Sequence, residues 1–218
     1  MSVTIAEELL LLAYSEDDGK QLIGSTQLDP ALGGAILAEL AVNDRIQLTD
    51  KKLSVTDPTP LGDDELDTAL ARMAADGKER RPAWWVQKLH STKLRRRLLT
   101  RLADAGVLAE QRGKVLGVFP TSRWPEADGR VEAEVRERVS SVLAGADPDA
   151  RTAVLIAIAY AAKLDRKAFP GASKERVKEI AEGAWAADAV AKTIAAINSA
   201  AMIAVTSAAI GVAASSSG

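Results

Sequence analysis

The chain opens on a short polar cap followed by an unbroken apolar run. Thr4-Ile-Ala-Glu7 has the spacing of a capping box, and Leu9, Leu10, Leu11, Leu12 and Tyr14 continue the helix that it starts. Ser15-Glu-Asp-Asp-Gly19 stops that helix in a turn. Asp29-Pro30 reads as an N-cap with proline at the first helical position, and Leu32, Ile36, Leu37 and Leu40 recur at the helical period as far as Asn43-Asp44. Residues 45–48 and 53–55 flank the polar Thr49-Asp-Lys-Lys52 and predict a β-hairpin. A Pro- and Asp-rich stretch, 57–67, leads into a helix capped by Asp63 or Asp64, with Leu66, Leu70 and Met73 on its apolar face. Its carboxylates, and those of Glu16, Asp17 and Asp18, lack the alternating ligand spacing and turn glycine of a calcium loop, so they read as caps and solvated surface.

Over 92–105 the period returns: Leu94, Leu98, Leu99 and Leu102 define a buried arc, and Lys93, Arg96, Arg97 and Arg101 lie opposite it. Arg95 falls inside the apolar arc. A guanidinium there must pair with a buried carboxylate or reach through a gap to an external anion. After Gly106, residues 107–111 and 114–119 flank Arg112-Gly113, a second hairpin signal. A shift of 62 lays this unit on the earlier one, pairing Leu40 with Leu102, Ala41 with Ala103 and Ile46 with Leu108.

The remainder is helical. Asp128 is placed to cap a helix carrying Val131, Val135, Val139 and Val142, and Asp147-Pro148 opens the nearly apolar stretch 153–164. Residues 173–186 are charged on one side, and the Ala-rich stretch that follows carries no charge from Thr193 to Ala214. That last segment is long enough for a membrane span, but its small side chains and lack of aromatic anchors read as a close-packed buried helix. The pattern defines a mainly α fold: a central apolar helix bundle surrounded by amphipathic helices, with one or two small β-hairpins. It forms one domain over 1–214, followed by a flexible tail over 215–218.

Composition supports a sizeable core, with 47% hydrophobic residues in 218. The absence of Cys removes disulfides, thiolate metal sites and thiol nucleophiles, and His90 is the only histidine. With no metal-binding His pair, nucleophile elbow, P-loop or dinucleotide fingerprint, neither a catalytic set nor a metal or cofactor is expected. The N-terminus has carboxylates where an export leader would be apolar, which points to a cytoplasmic protein.

Charge is distributed unevenly. The net value of −2 conceals a segment, 78–101, with nine basic residues against Glu79 alone, leaving 19 basic and 29 acidic residues elsewhere. Such a field attracts anions, whether lipid, nucleic acid or acidic protein. Trp84-Trp85 precede the basic helix and Trp124 follows the second hairpin, positions useful for interfacial aromatics if that face touches lipid, although a tryptophan pair is more often core than anchor; at most one of Trp84 and Trp85 is expected to point outward.

Taken in order, several motifs resemble the Golgi phosphoprotein 3 family. They are Glu7-Glu8-Leu9-Leu10-Leu11-Leu12, Gly34-Ala-Ile-Leu-Ala-Glu-Leu-Ala41 with Arg45-Ile-Gln-Leu48, Lys88-Leu-His90, Arg95-Arg96-Arg97-Leu98, Gly106-Val-Leu108 and the stretch 151–162. The chain starts at its first helix, which resembles the short bacterial members. The resemblance implies a peripheral membrane protein that binds anionic phospholipid, phosphatidylinositol 4-phosphate in the family. It also implies a hairpin for membrane contact or self-association, here carrying Val115, Leu116, Val118 and Phe119. The lipid-binding set would be Arg95 and Arg97 with Lys93, Arg96 and Arg101. Gly24, Gly33 and Thr92 stand where the family's headgroup pocket has a tryptophan and two arginines; only Arg95 keeps its type. The alternative is a winged-helix-like nucleic-acid-binding protein, because a helix followed by a hairpin is also that module's layout. Basic residues confined to one helix and an apolar return strand argue against it, and no nucleic acid is expected as a partner.

Overall fold

The computed structural model describes residues 3–115, 119–183 and 189–215. Thr4 caps α1 (Ile5–Ala13) through the anticipated box: its hydroxyl accepts from the Glu7 amide, and the Glu7 carboxylate accepts from the Thr4 amide at 2.8 Å. Next come α2 (Ser25–Val42), the hairpin β1 (Ile46–Thr49) and β2 (Lys52–Val55), α3 (Asp64–Asp76), α4 (Pro82–Leu89) and α5 (Thr92–Asp104). A second hairpin, β3 (Gln111–Val115) and β4 (Phe119–Arg123), precedes α6 (Arg130–Leu143), α7 (Ala150–Ala161), α8 (Asp165–Ala168), α9 (Lys174–Ala181) and α10 (Ala189–Ser215). The fold is mainly α, with two separate antiparallel two-stranded sheets among the described residues.

At the centre lies α2, packed against α1, α3, α4, α5, α7 and α10. Leu28 to Ala41 are buried without interruption, which only an apolar helix with small residues can sustain. Gly34 meets the side chains of Ala201 and Ile197 on α10, so a small residue there sets how closely the two helices approach. α7 is similarly enclosed. α10 is not buried on all sides as expected: Ile194, Ile197, Ala201 and Val205 are buried, while Met202 and Ile203 are 41% and 61% exposed. No helix among the described residues is long and apolar enough to cross a membrane.

Several expected boundaries move. α2 begins at Ser25, with Gly24 at the N-cap, so Asp29 and Pro30 lie inside the helix and are buried. Pro30, the sixth residue of the helix, forfeits the bond that an amide there would make to the Thr26 carbonyl, and Asp29 turns its carboxylate to a tertiary partner rather than to the backbone. The cap of α7 is Asp149, whose carboxylate accepts from the Thr152 amide, not Asp147. Gly129 occupies the N-cap of α6, with Asp128 accepting from the Arg130 amide.

The second hairpin has a different register from the one expected. Arg112 and Gly113 are not its turn; they pair with Ser122 and Thr121 inside the ladder, and Val115 pairs with Phe119. An isolated bridge between Leu108 and Glu126 lies beyond the stem. Long-range pairing with 119–126 overrides the local turn signal of an Arg-Gly dipeptide.

The repeat at a shift of 62 has a backbone counterpart. Asp44 and Gly106 both adopt the left-handed conformation after their helices, and the Arg45 amide donates to Leu40 as Val107 donates to Leu102, at 2.8 and 2.9 Å. The same C-terminal stop therefore turns both helices into their hairpins.

The hairpin stem docks on the α1–α2 turn. Trp124 and Glu126 amides donate to the carbonyls of Gly19 and Glu16 at 3.0 and 3.2 Å. A Cβ on Gly19, which has φ +60°, would sit 2.1 Å from the Pro125 nitrogen. Gly19→Ala is therefore expected to cost more than about 2 kcal/mol, combining left-handed strain with backbone collision, and urea denaturation measures it.

Beside this stem, Glu132 is buried and accepts from Arg136 Nε at 2.8 Å, and Arg136 also pairs with Glu16 at 2.8 Å. Burial pushes the Glu132 carboxyl up from 4.5 to about 7, with Arg136 opposing the shift and Glu16 and Glu126 adding to it. A raised folded-state value means that its contribution to stability is present below about 4.5 and is lost as pH rises through about 7. Between pH 5 and 8, urea denaturation should show the wild type losing about 2 kcal/mol relative to Glu132→Gln.

Candidate functional site

The basic helix forms as its spacing demands. The Ser91 hydroxyl caps it by accepting from the Leu94 amide at 3.0 Å, and Leu94, Leu98, Leu99 and Leu102 are buried on the side where α5 meets α1 and α2. Its cations then divide into two groups with different surroundings.

Three of them are committed to carboxylates. Arg95 points inward and pairs with Asp29 at 2.8 Å, both side chains about nine-tenths covered, and the Thr92 hydroxyl donates to the same carboxylate at 3.3 Å. Burial raises the Asp29 carboxyl above the usual range, with Arg95 and Thr92 pulling it back. Tyr14 is pushed up to about 12, first by burial; Arg95 lowers it and Asp29 raises it. Arg97 makes a two-pronged contact with Glu65, and Arg101 bridges Glu7 at 2.7 Å and Asp63 at 2.6 Å. A cavity of about 370 Å³ beside α3 is lined by Arg96, Arg97 and Arg101 together with Asp64, Glu65 and Asp104, so its charge is mixed. Arg95, Arg97 and Arg101 therefore do not converge on one open anion pocket.

Lys93 and Arg96 are different. Both are exposed, and neither has an acidic partner within ion-pair distance among the described residues. The charge of Arg96 helps to hold the Glu110 carboxyl below its ordinary value, after the larger effect of Arg112. Arg112 and Arg123 on the stem are exposed as well. Arg80, just ahead of α4, and Lys88 on it lie over the ring of the half-buried Trp84 at 4.7 and 5.3 Å, while Trp85 is buried edge-to-face against it. One tryptophan thus faces the core and the other the basic surface.

The expected hairpin tip is only partly in view. Val115 and Phe119 form the last described pair of the ladder, and Leu116 and Val118 lie outside the described residues.

Sequence reasoning missed the role of Asp29, because Asp-Pro is a strong helix-start signal and the partner Arg95 is 66 residues away. It also left α4 unassigned. Pro82 at its first position was the available signal. Gly33, too, has a tertiary reason: a Cβ there would sit 3.0 Å from the Val86 carbonyl oxygen and 3.2 Å from the His90 Cβ. A larger side chain at 33 has to displace the end of α4.

These features define a mainly α protein presenting a basic helix, a Trp-bearing helix and a basic hairpin stem. The sequence model of the family described as Golgi phosphoprotein 3 (GPP34) matches residues 5–197, and the chain belongs to that family. It is similar to vacuolar protein sorting-associated protein 74 of Eremothecium gossypii, with 29% identity over 166 residues, covering 65% of this chain and 49% of that protein. The chain thus spans about half the length of this curated relative.

The Asp29–Arg95 pair gives the site its testable property. Asp29→Ala leaves a buried guanidinium without its counter-charge and is expected to lower stability by about 3–5 kcal/mol. Adding Arg95→Met should restore most of the loss, read as a double-mutant cycle in urea.

Proposed function

We propose that the protein is a peripheral membrane protein of the cytoplasm that docks on anionic phospholipid through Lys93 and Arg96. Lys88 and Arg123 broaden the field, and the hairpin apex from Val115 to Phe119 provides membrane contact or self-association. The observation that carries this reading is the pair of exposed, uncommitted cations on α5 beside a basic hairpin stem. Near a negatively charged leaflet each such cation contributes about 1 kcal/mol, so binding is reversible and salt-sensitive.

Family membership brings phosphatidylinositol 4-phosphate forward as a headgroup, but the residues here favour recognition of charge over recognition of one lipid. Arg95 is neutralised by Asp29, and Gly33 abuts α4 where the resemblance places an arginine. Arg95, Arg97 and Arg101 are already paired with carboxylates, and releasing them for a phosphate costs the pairing energy.

Liposome flotation tests both levels. Vesicles of neutral lipid, phosphatidylserine or phosphatidylinositol 4-phosphate at matched surface charge should give no binding to the first and similar binding to the other two. Lys93→Glu with Arg96→Glu should reduce binding at least tenfold, since it reverses two charges in the surface field. A preference for the phosphoinositide that Arg95→Ala abolishes would replace charge recognition with a headgroup pocket. Binding to duplex DNA with a steep salt slope, and to no vesicle, would favour the winged-helix reading.

A further inference from the structure

A second cavity, remote in sequence from the basic helix, has the composition of a ligand site. It encloses about 660 Å³ between the end of α7, α8, the first turns of α9 and the outer face of α10. That volume lies in the range of small-molecule pockets, roughly 300–1,000 Å³. Tyr160, Ala161 and Met202 supply apolar wall, and Lys163, Arg166, Lys174 and Lys178 line it with positive charge.

Among the described lining residues, these four cations face two carboxylates. Asp165 and Glu175 are the acidic side chains among the cavity's described lining residues. Glu175 turns back to the first turn of its own helix, accepting from the Ser173 hydroxyl at 2.9 Å, and these local hydrogen bonds hold its carboxyl below the ordinary value. Lys178 reaches Glu182 at 3.6 Å on the surface. Lys163, Arg166 and Lys174 have no ion-pair partner within 4.0 Å among the described residues.

Two further observations point the same way. Lys163 adopts φ +59° at the end of α7, where glycine would stop the helix without strain. A lysine held there carries a backbone cost of about 1–2 kcal/mol and is one of the residues lining the cavity. Met202, with its neighbour Ile203, is one of the large hydrophobic side chains left exposed among the described residues. An apolar wall open to solvent under a rim of unpaired cations is complementary to a molecule with an alkyl chain and an anionic head.

We propose that this cavity binds a small anionic amphiphile, a single alkyl chain ending in a phosphate or carboxylate. The alkyl chain lies along Met202, Ala161 and the Tyr160 ring, and the head is held by Lys163, Arg166 and Lys174. The site is separate from the membrane-docking surface and needs no bilayer.

Dodecyl phosphate, kept below its micellar concentration, is the probe. Isothermal titration measures affinity, and methyl-labelled methionine locates binding, because the chain has three methionines and buried Met73 is a built-in control for Met202. Saturable binding that shifts the Met202 methyl and spares Met73 is the expected result. Arg166→Gln with Lys174→Gln should weaken it roughly tenfold or more, the scale of losing charge-assisted hydrogen bonds. Lys163→Gly should weaken binding with an unchanged or higher Tm, which separates a ligand role from a structural one. Lys93→Glu with Arg96→Glu should leave the titration unchanged, so failure of vesicle docking and failure of this site are distinguishable. Equal affinity for neutral dodecyl maltoside, equal affinity for inorganic phosphate, or no shift at Met202 would each overturn the proposal.

Discussion

Three buried carboxylates hold this architecture in register. Glu7 and Glu8 on α1 and Glu39 on α2 are all enclosed, and three arginines from three later helices meet them: Arg101 of α5 at Glu7, Arg138 of α6 at Glu8, and Arg151 of α7 at both Glu8 and Glu39. Hydrophobic burial stabilises the bundle without specifying how its helices slide past one another. A carboxylate removed from water is tolerated only beside its counter-charge, so each arginine fixes its helix against α1, and Arg151 also ties α7 to α2. Glu7 serves two neighbours, closing the helix cap with one oxygen and holding Arg101 with the other.

That registration decides what α5 shows to solvent. With Arg101 tied to Glu7 and the leucine arc against α1 and α2, Arg95 is delivered to Asp29 and Lys93 and Arg96 are left outside. A helix with five basic residues thereby offers far less free charge than its composition suggests. Internal pairing has consumed Arg95, Arg97 and Arg101, and the external field rests on the remainder together with α4 and the hairpin stem.

The hairpin is supported from a different side. Its base lies on the α1–α2 turn through backbone bonds at Gly19 and Glu16, and Arg136 ties Glu16 to buried Glu132. The hairpin base therefore rests on a turn held by the same Arg136 that pairs with Glu132, whose burial pushes its carboxyl up to about 7. The basic face of α5 and the hairpin share this region, since Arg96 acts on Glu110 at the start of the stem.

Local chemistry determined much of this in the sequence alone. The Thr4 capping box, the Asp63 cap, the leucine arc of α5 and the first hairpin follow from short-range spacing, and the shifted repeat anticipated the shared helix stop at Asp44 and Gly106. Arg95 was legible as anomalous, because a guanidinium on an apolar arc requires a partner. Its partner was not legible: the Asp29–Arg95, Glu7–Arg101 and Glu8–Arg151 pairs join residues 66 or more apart, and spacing carries no record of such pairing. Tertiary contact likewise decided the register of the second hairpin against a local Arg-Gly turn signal, the start of α2 ahead of an Asp-Pro pair, and the clearance at Gly33. Composition establishes that charge and apolar surface exist, but only packing determines which charges are spent on one another and which remain for a ligand.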